Sequence, residues 1–322
     1  MKTKMKWIPI LSLLLLAFFG CSKEEVVVPE KPKTETKPEV TVNLPESTDG
    51  EITLYTVNGS DLIKKQDYSV TGSSLAYQRL TDKHQEIWAM VLQVIPESFR
   101  GNLSEFLIFS GEENSTAGFV VQTSNDLSKW QMGIAIDFAY QNGFNAGGEL
   151  AYTIIHEFAH ILTLNNTQID ARIGASSCSN YFPGEGCANT DSYINQLYLR
   201  FWADIWSEYQ AATDSEYAQQ EFYDKYKDRF VTQYASTNPG EDIAESFTYF
   251  VTLENKPTGN PIADQKVLMM YEYPELIELR NYIRTNLMTT AKSSQRSLPK
   301  AGTWKQANTF GDPKQTHNKT KL

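Results

Sequence analysis

The segment Ile154–Leu162 reads IIHEFAHIL, and the rest of the sequence is best understood from it. Its apolar residues predict a largely buried helix over residues 149–164. Residues four apart share one face of a helix, so His156 and His160 can bind the same metal ion. The chain contains 4 histidines in all, and two of them stand here. The segment therefore predicts a zinc centre built on one helix.

Glu157 directly follows the first histidine and completes the pattern HExxH, and Gly147-Gly148 stands at the entry to the predicted helix. Zinc lowers the pKa of a bound water, and a carboxylate in this place can take its proton. The alternative is a helix with two surface histidines. Ile154, Ile155 and Phe158 leave such a helix little exposed face, so the pattern favours a hydrolytic metal centre.

A catalytic zinc site needs a third protein ligand and an open position. The metzincin type would place another histidine shortly after His160, but Asn166 stands at that position. The two remaining histidines are His84, in a predicted early helix, and His317, near the end of the chain, and both are expected to be solvated. The third ligand is therefore expected to be a carboxylate.

The segment Tyr234–Phe247 reads YASTNPGEDIAESF and holds the best candidates. Pro239-Gly240, preceded by Asn238 as the N-cap, predicts the start of a helix. Glu241 and Glu245 then share a face, where two like charges beside apolar residues are costly unless a positive charge lies opposite. A zinc ion supplies that charge if Glu241 binds it and Glu245 accepts the spare N–H of a ligand histidine.

Two other interpretations of these acids stay open. Glu241 and Glu245 could form a solvated acidic helix start, which the helix dipole favours. Asp170 is an alternative third ligand, as in the aspzincins, although the Gly-Thr-x-Asp motif of those enzymes is missing around it. The aromatic segment 198–206 is expected to be core, with a carbohydrate-binding surface as the alternative.

The pattern HEFAH followed by Tyr-x6-Glu-x3-Glu resembles the gluzincin metallopeptidases around anthrax lethal factor and the Pro-Pro endopeptidases. The resemblance implies that Glu241 is the zinc ligand, that Tyr234 donates to the oxyanion, and that Glu245 supports a ligand histidine. More narrowly, HEFAHIL, Gln233-Tyr234-Ala235 and EDIAE look like the lipoprotein zinc metallohydrolases associated with nutrient import. The likeness extends over about residues 115–285 and implies no substrate.

The order of predicted elements indicates an α+β fold, with a small antiparallel or mixed sheet followed by a mainly helical, zincin-type catalytic core. One domain is expected over residues 48–288, followed by a polar, disordered tail over residues 289–322. Strands are predicted first, at residues 51–57, 106–109, 118–122 and 131–137. A helix is predicted over 76–94, between the first two of these strands. Helices are predicted afterwards at residues 149–164, 190–211, 214–229, 241–253 and 262–286.

Residues 1–20 predict a lipoprotein signal peptide, because lysines precede an apolar run too short to span a bilayer. Ala17–Cys21 resembles a bacterial lipobox, which implies cleavage before Cys21 and its acylation; plain secretion is the alternative. Residues 21–47 hold several prolines and predict a disordered tether. Ser22-Lys23-Glu24-Glu25 resembles the signal for the outer face of the outer membrane, so a surface-exposed outer-membrane lipoprotein is expected.

Cys178 and Cys187 are the cysteines that remain once Cys21 is set aside. In an exported protein the default for such a pair is a disulfide bond. The segment between them contains one proline and two glycines, so it can turn back on itself. A cysteine-based metal site is the alternative, but it lacks nearby histidines.

The formal net charge of −10 argues against nucleic acid as a partner. The expected partners are one zinc ion per chain, a peptide or protein substrate, the membrane through the lipid anchor, and an outer-membrane import complex. The sequence thus predicts a zinc peptidase with Glu157 as general base. The alternatives are a surface binding lipoprotein of a nutrient-uptake system with a structural or vestigial zinc site, and a zinc hydrolase of non-peptide amides.

Overall fold

The computed structural model describes residues 44–112, 115–141, 143–144 and 149–289. The predicted signal peptide, Cys21, nearly all of the tether, Gly147-Gly148, His317 and the tail from residue 290 lie outside the described residues. Within the described ranges, no helix is both long and apolar enough to cross a membrane.

The first half of the described chain forms a five-stranded mixed sheet. Its strand order is β2-β1-β3-β5-β4. Neighbouring strands are antiparallel except for β3 and β5, which run parallel. The strands are β1 (Glu51–Asn58), β2 (Asp61–Asp67), β3 (Leu103–Phe109), β4 (Gly118–Gln122) and β5 (Trp130–Ala135).

Helices surround and follow the sheet. Those in the first half are α1 (Gly72–Arg79), α2 (Thr81–Val94), α3 (Glu97–Arg100) and α4 (Ile136–Ala139). The second half contains α5 (Glu149–Leu164), α6 (Tyr193–Phe201), α7 (Trp206–Ala212), α8 (Glu216–Tyr226), α9 (Pro239–Thr252), α10 (Ile262–Met270) and α11 (Pro274–Thr289). A small ribbon joins β6 (Ile169–Asp170) to β7 (Cys187–Ala188). The predicted α+β class, with a mixed sheet before a mainly helical region, is confirmed.

Several predicted elements are divided or were missed. The helix predicted over 76–94 is interrupted at Leu80, whose backbone leaves the helical region at ψ 59°. The one predicted over 190–211 is interrupted between α6 and α7. Strand β2 was not predicted, because DLIKKQD is largely exposed at the edge of the sheet and lacks an alternating apolar face.

The main core lies where α2 and α5 pack against the sheet and α9 packs against α5. Trp88 of α2 contacts Phe106 of β3, with ring centroids 5.2 Å apart. Phe158, on α5, contacts Phe99 at 5.7 Å and Phe247 of α9 at 6.5 Å. Phe158 thus fixes the separation of the two helices that carry the candidate metal ligands.

The expectation that His84 is solvated is wrong. The side chain is fully buried, because its face of α2 lies against β1. Its Nε2 is 3.0 Å from the carbonyl oxygen of Tyr77, which can only accept, so Nε2 carries the proton. Its Nδ1 then accepts from the hydroxyl of Tyr55 at 2.7 Å. Burial lowers the pKa of His84 below its ordinary value of 6.5.

Cys178 and Cys187 are joined by a disulfide bond, with their Cα atoms 5.3 Å apart. Cys187 belongs to β7, where it pairs with Asp170 of β6. The bond therefore closes the loop that follows α5 onto the small ribbon, and in the chain-entropy picture a loop of this size contributes roughly 2–3 kcal/mol.

Candidate metal centre

Helix α5 places two imidazoles side by side at its buried face. His156 and His160 are one turn apart, and their Nε2 atoms lie 3.1 Å from each other. Their rings are nearly perpendicular, at 76°. Both residues are buried, at 0% and 3% exposure. Two nitrogen atoms therefore face the same point from consecutive turns.

Helix α9 brings a carboxylate to the same point. Asn238 caps the helix by accepting the backbone N–H of Glu241 at 2.9 Å, which fixes the first turn. The Oε2 atom of Glu241 lies 3.1 Å from His156 Nε2 and 3.3 Å from His160 Nε2. These three residues form a buried group whose ligand atoms all lie within 4.8 Å of one another.

The chemistry of this triangle fits a zinc ion. Glu245 Oε1 is 2.8 Å from His156 Nδ1 and can only accept as a carboxylate, so Nδ1 carries the proton there. In neutral His156, Nε2 then presents a lone pair to the oxygen of Glu241 and to the nitrogen of His160. With Oε2 of Glu241 and Nε2 of His160, this atom makes up a group of three ligand atoms of the kinds that zinc binds. A tetrahedral zinc with bonds of about 2.0–2.1 Å separates its ligand atoms by about 3.3–3.4 Å, slightly more than the 3.1, 3.1 and 3.3 Å edges of this triangle.

The short distances between these buried side chains shift the pKa values of His156 and Glu241. Burial lowers the pKa of His156, but hydrogen bonds and charges from Glu241 and Glu245 more than reverse this and raise it to about 10. Burial raises the pKa of Glu241, yet the charge of His160 and hydrogen bonds from both histidines bring it down to about 2. The pocket thus holds Glu241 as a carboxylate and favours positive charge between the three side chains.

Glu245 is held by several donors. Its Oε1 faces His156 Nδ1, while Oε2 accepts from the hydroxyl of Tyr152 at 2.9 Å and from the hydroxyl of Thr232 at 2.7 Å. The side chain is fully buried, and these three contacts satisfy its oxygen atoms there. It therefore fixes the ring of His156 and its tautomer.

Glu157 lies on α5 against strand β4, where it is 2% exposed. Its Oε1 has no hydrogen-bond partner among the described residues. Burial raises the pKa of Glu157 to about 8, with His156 acting to lower it and Glu241 to raise it. A Cβ placed on Gly118 would lie 3.3 Å from Glu157 Cγ and 2.5 Å from Thr153 Cγ2, so the glycine lets β4 pass close to the base.

Tyr234 opens a short 3-10 turn, Tyr234–Thr237, that leads into α9. Its ring centroid is 5.8 Å from that of His156. Tyr234, Glu241 and Glu245 thus all lie beside the histidines of α5. Asp170, the alternative ligand, lies outside the metal group and pairs with Arg172 at 2.7 Å.

Sequence reasoning did not anticipate the supporting residues. Tyr152 stands one turn before His156, so the spacing alone could have placed it on the same face. Thr232 and Lys266 carried no such signal, because their partners belong to other elements. Trp202, from the aromatic segment, is fully buried and donates to Asp242 at 2.6 Å, as expected of core.

One family model and one solved structure are similar to parts of this chain. A family model described as "Putative zinc-binding metallo-peptidase" matches residues 187–299, which is less than half of the chain. The match includes Glu241 and Glu245, whereas both histidines precede it. No curated protein matches the chain. A crystal structure of "a putative zinc-binding metallo-peptidase" from Bacteroides caccae is 19% identical, with 71% of this chain and 84% of that chain covered and a TM-score of 0.31. The family match and the buried His-His-Glu group support a zinc-binding, metallopeptidase-like protein.

Proposed function

We propose that this protein is a zinc-dependent metallohydrolase of the gluzincin type, with one zinc per chain, and that it acts as a peptidase. The observation that carries the proposal is the triangle of His156, His160 and Glu241 with a buried acid, Glu157, beside it. Structural zinc sites use four protein ligands. Within the described residues this group has three, which leaves a position for substrate or water, and a base is of use only to a catalytic site.

In this mechanism Glu157 and Glu245 have separate roles. When bound, zinc lowers the pKa of a coordinated water and polarises the scissile carbonyl. Glu157, whose Oε1 has no hydrogen-bond partner among the described residues, would take a proton from the attacking water and pass it to the leaving amine. Glu245 keeps His156 in the tautomer whose Nε2 faces the metal.

Tyr234 is proposed as the donor that stabilises the developing oxyanion. The support is its position, because its ring lies beside that of His156 at the entry to α9. In this role its hydroxyl would donate to charge that grows only in the transition state. Its removal is therefore expected to affect turnover more than substrate binding.

Strand β4 is proposed to bind the substrate backbone. It is the last strand on its side of the sheet within the described residues. Ala135 N donates to the carbonyl of Ala117, and Gly118 pairs with Ile134. In an antiparallel ladder the backbone groups of alternate residues point outward, so those of Gly118 and Val120 face the free edge. An extended peptide added there would lie next to Glu157, which favours a peptide over other amides.

The cellular setting is proposed from the sequence. Residues 1–20 have the layout of a lipoprotein signal peptide, and acylated Cys21 would anchor the chain to the outer membrane, on its outer face. An import complex is the proposed neighbour there. Cys21→Ser is expected to release the protein from membranes; retention of this variant in the membrane fraction would contradict the anchor.

The decisive experiment for the function compares two conservative variants of α5 on a peptide library. Glu157→Gln is expected to keep zinc and to lose about 10²–10⁴-fold in rate, because the general base is gone. Glu149→Gln makes the same chemical change in the first turn of the same helix, outside the metal group, and is expected to stay close to wild type. Cleavage that survives chelation, or wild-type turnover by Glu157→Gln, would disprove the mechanism.

A further inference from the structure

We infer that the hydroxyl of Thr232 is a positioning group that couples the ligand His156 to the turn carrying Tyr234. The inference rests on the proposed function. Thr232 belongs to neither the HExxH pattern nor the Tyr-x6-Glu-x3-Glu pattern, and it precedes the turn by two positions. What distinguishes it is that its oxygen contacts both halves of the site.

The Thr232 hydroxyl has one proton and two lone pairs, and in this structure it both donates and accepts a hydrogen bond. The proton goes to Glu245 Oε2, since a carboxylate oxygen can only accept, at a distance of 2.7 Å. The oxygen of Thr232 in turn accepts the backbone N–H of Ala235 at 3.1 Å. Ala235 is the residue after Tyr234, so this second bond fixes the first peptide of the turn.

The bond to Glu245 reaches the metal ligands in one further step. Glu245 Oε1 faces Nδ1 of His156 at 2.8 Å, and Oε2 also accepts from Tyr152 at 2.9 Å. His156 and Tyr152 both belong to α5, whereas Thr232 belongs to the segment that leads into the turn. A continuous chain of hydrogen bonds therefore runs from Ala235 N–H through Thr232 and Glu245 to the imidazole of His156.

The chain of bonds has a geometric consequence. The hydroxyls of Ser236 and Thr237 in the turn bond locally, Ser236 donating to Gln233 O and Thr237 donating to Tyr234 O. These bonds shape the turn but do not direct it towards α5. Thr232 does so, and the Tyr234 ring lies beside that of His156. Without this hydroxyl, Glu245 keeps its contacts with Tyr152 and His156 but is no longer bonded to the turn. The metal ligand and the proposed oxyanion donor are then held less firmly relative to each other.

The test replaces the hydroxyl while keeping the shape of the side chain. In Thr232→Val we expect zinc affinity, measured by chelator competition, to fall about 10-fold, since groups that support metal ligands typically contribute 10–100-fold. The visible spectrum of the Co²⁺-substituted protein is expected to change as the ligand geometry relaxes. kcat is expected to fall about 10-fold with KM nearly unchanged. Thr232→Ser, which restores the hydroxyl, is expected to recover all three quantities.

Thr248→Val is the matched control. Thr248 is buried in α9, and its hydroxyl donates to its own helix, at Ala244 O, over 2.8 Å. A loss of packing or of a buried hydrogen bond affects this variant too, but it leaves the chain from Ala235 to His156 intact. We expect its zinc affinity, cobalt spectrum and kcat to match those of wild type.

Thr232→Ala is measured in parallel, because it leaves room for a water beside Glu245 and protects the test against misfolding of the valine variant. If the Thr232 variants behave like Thr248→Val in zinc affinity and cobalt spectrum, the inference is overturned. Metal readouts need no substrate. If wild type cleaves no peptide while the metal readouts still separate Thr232→Val from Thr248→Val, the peptidase proposal fails and the positioning role stands.

Discussion

Lys266 Nζ lies 2.6 Å from Asp242 Oδ2, and neither side chain has exposed surface. Asp242 directly follows Glu241, so this ion pair holds the first turn of α9 through the residue next to the candidate ligand. Trp202 Nε1 donates to the same carboxylate oxygen at 2.6 Å, and the ammonium lies 4.2 Å from the ring centroid of Phe230. The position of Glu241 thus depends on a charged contact from α10.

Lys266→Met is expected to destabilise the protein by about 3–5 kcal/mol, because it leaves the carboxylate of Asp242 buried without its partner. The double variant Lys266→Met/Asp242→Asn is expected to recover part of the loss, since Asn still accepts from Trp202. Urea unfolding of the three proteins measures this. Lys225→Met is the control, because its partner Glu208 is well exposed and such pairs contribute little. Equal effects of the two lysine changes would contradict the assignment.

Glu241 and Glu245 are both acids near one centre, but the structure gives them different contacts. Glu241→Gln is expected to lower zinc affinity and activity together, because a neutral amide replaces the carboxylate that faces both Nε2 atoms. Glu245→Gln is expected to cost about 10–100-fold in either quantity, because it acts through His156. Zinc titration and kcat on both variants separate the roles. A Glu245→Gln protein that binds no zinc beside a loaded Glu241→Gln protein would show that they are exchanged.

Gly118→Ala is expected to push β4 away from α5, because its Cβ would meet Thr153 and Glu157. Overpacking of this kind costs about 1–3 kcal/mol. Zinc content is expected to stay unchanged while turnover falls, since β4 and Glu157 no longer keep their spacing. Gly101→Ala is the control, because a Cβ there meets nothing within 4 Å and the backbone is helical at φ −58°. Unchanged turnover in Gly118→Ala would rule out β4 as the substrate strand.

His84 predicts a pH dependence of stability. Its pKa is lowered by burial in the folded protein from the ordinary 6.5, so the unfolded chain binds a proton more readily. The stability is therefore fully present above about pH 6.5 and falls as the pH drops towards the folded pKa, by at most about 1.4 kcal/mol per pH unit. His84→Gln removes this titration. Urea unfolding between pH 7 and pH 5 should show a flatter dependence for the variant, and identical slopes would refute the prediction. Both proteins contain the metal histidines, so the comparison isolates His84.

The sequence predicted the features that depend on a local motif or on the spacing of residues along one helix. The HExxH pattern fixes which faces of α5 carry His156 and Glu157, and Pro239 with its cap fixes where α9 begins. The exposed β2 and the break at Leu80 could not be predicted, because partners elsewhere in the chain decide them.

Burial could not be predicted from the sequence where it depends on residues that are distant in the chain. His84 looks like a surface residue in sequence, and Lys266 gives no sign that it faces Asp242. Both depend on which helix face meets a neighbour, and a tertiary contact settles that question rather than the local pattern.

His156 and Glu241 are 85 positions apart in the chain, although their side chains meet at 3.1 Å. The unfolded chain holds the two histidines near each other but not the acid, and bringing the acid to them requires closure of a long loop. Bound zinc would therefore act as a reversible cross-link between helices α5 and α9. By mass action a bound zinc would favour the folded over the unfolded state, so the melting temperature is expected to rise with the free zinc concentration.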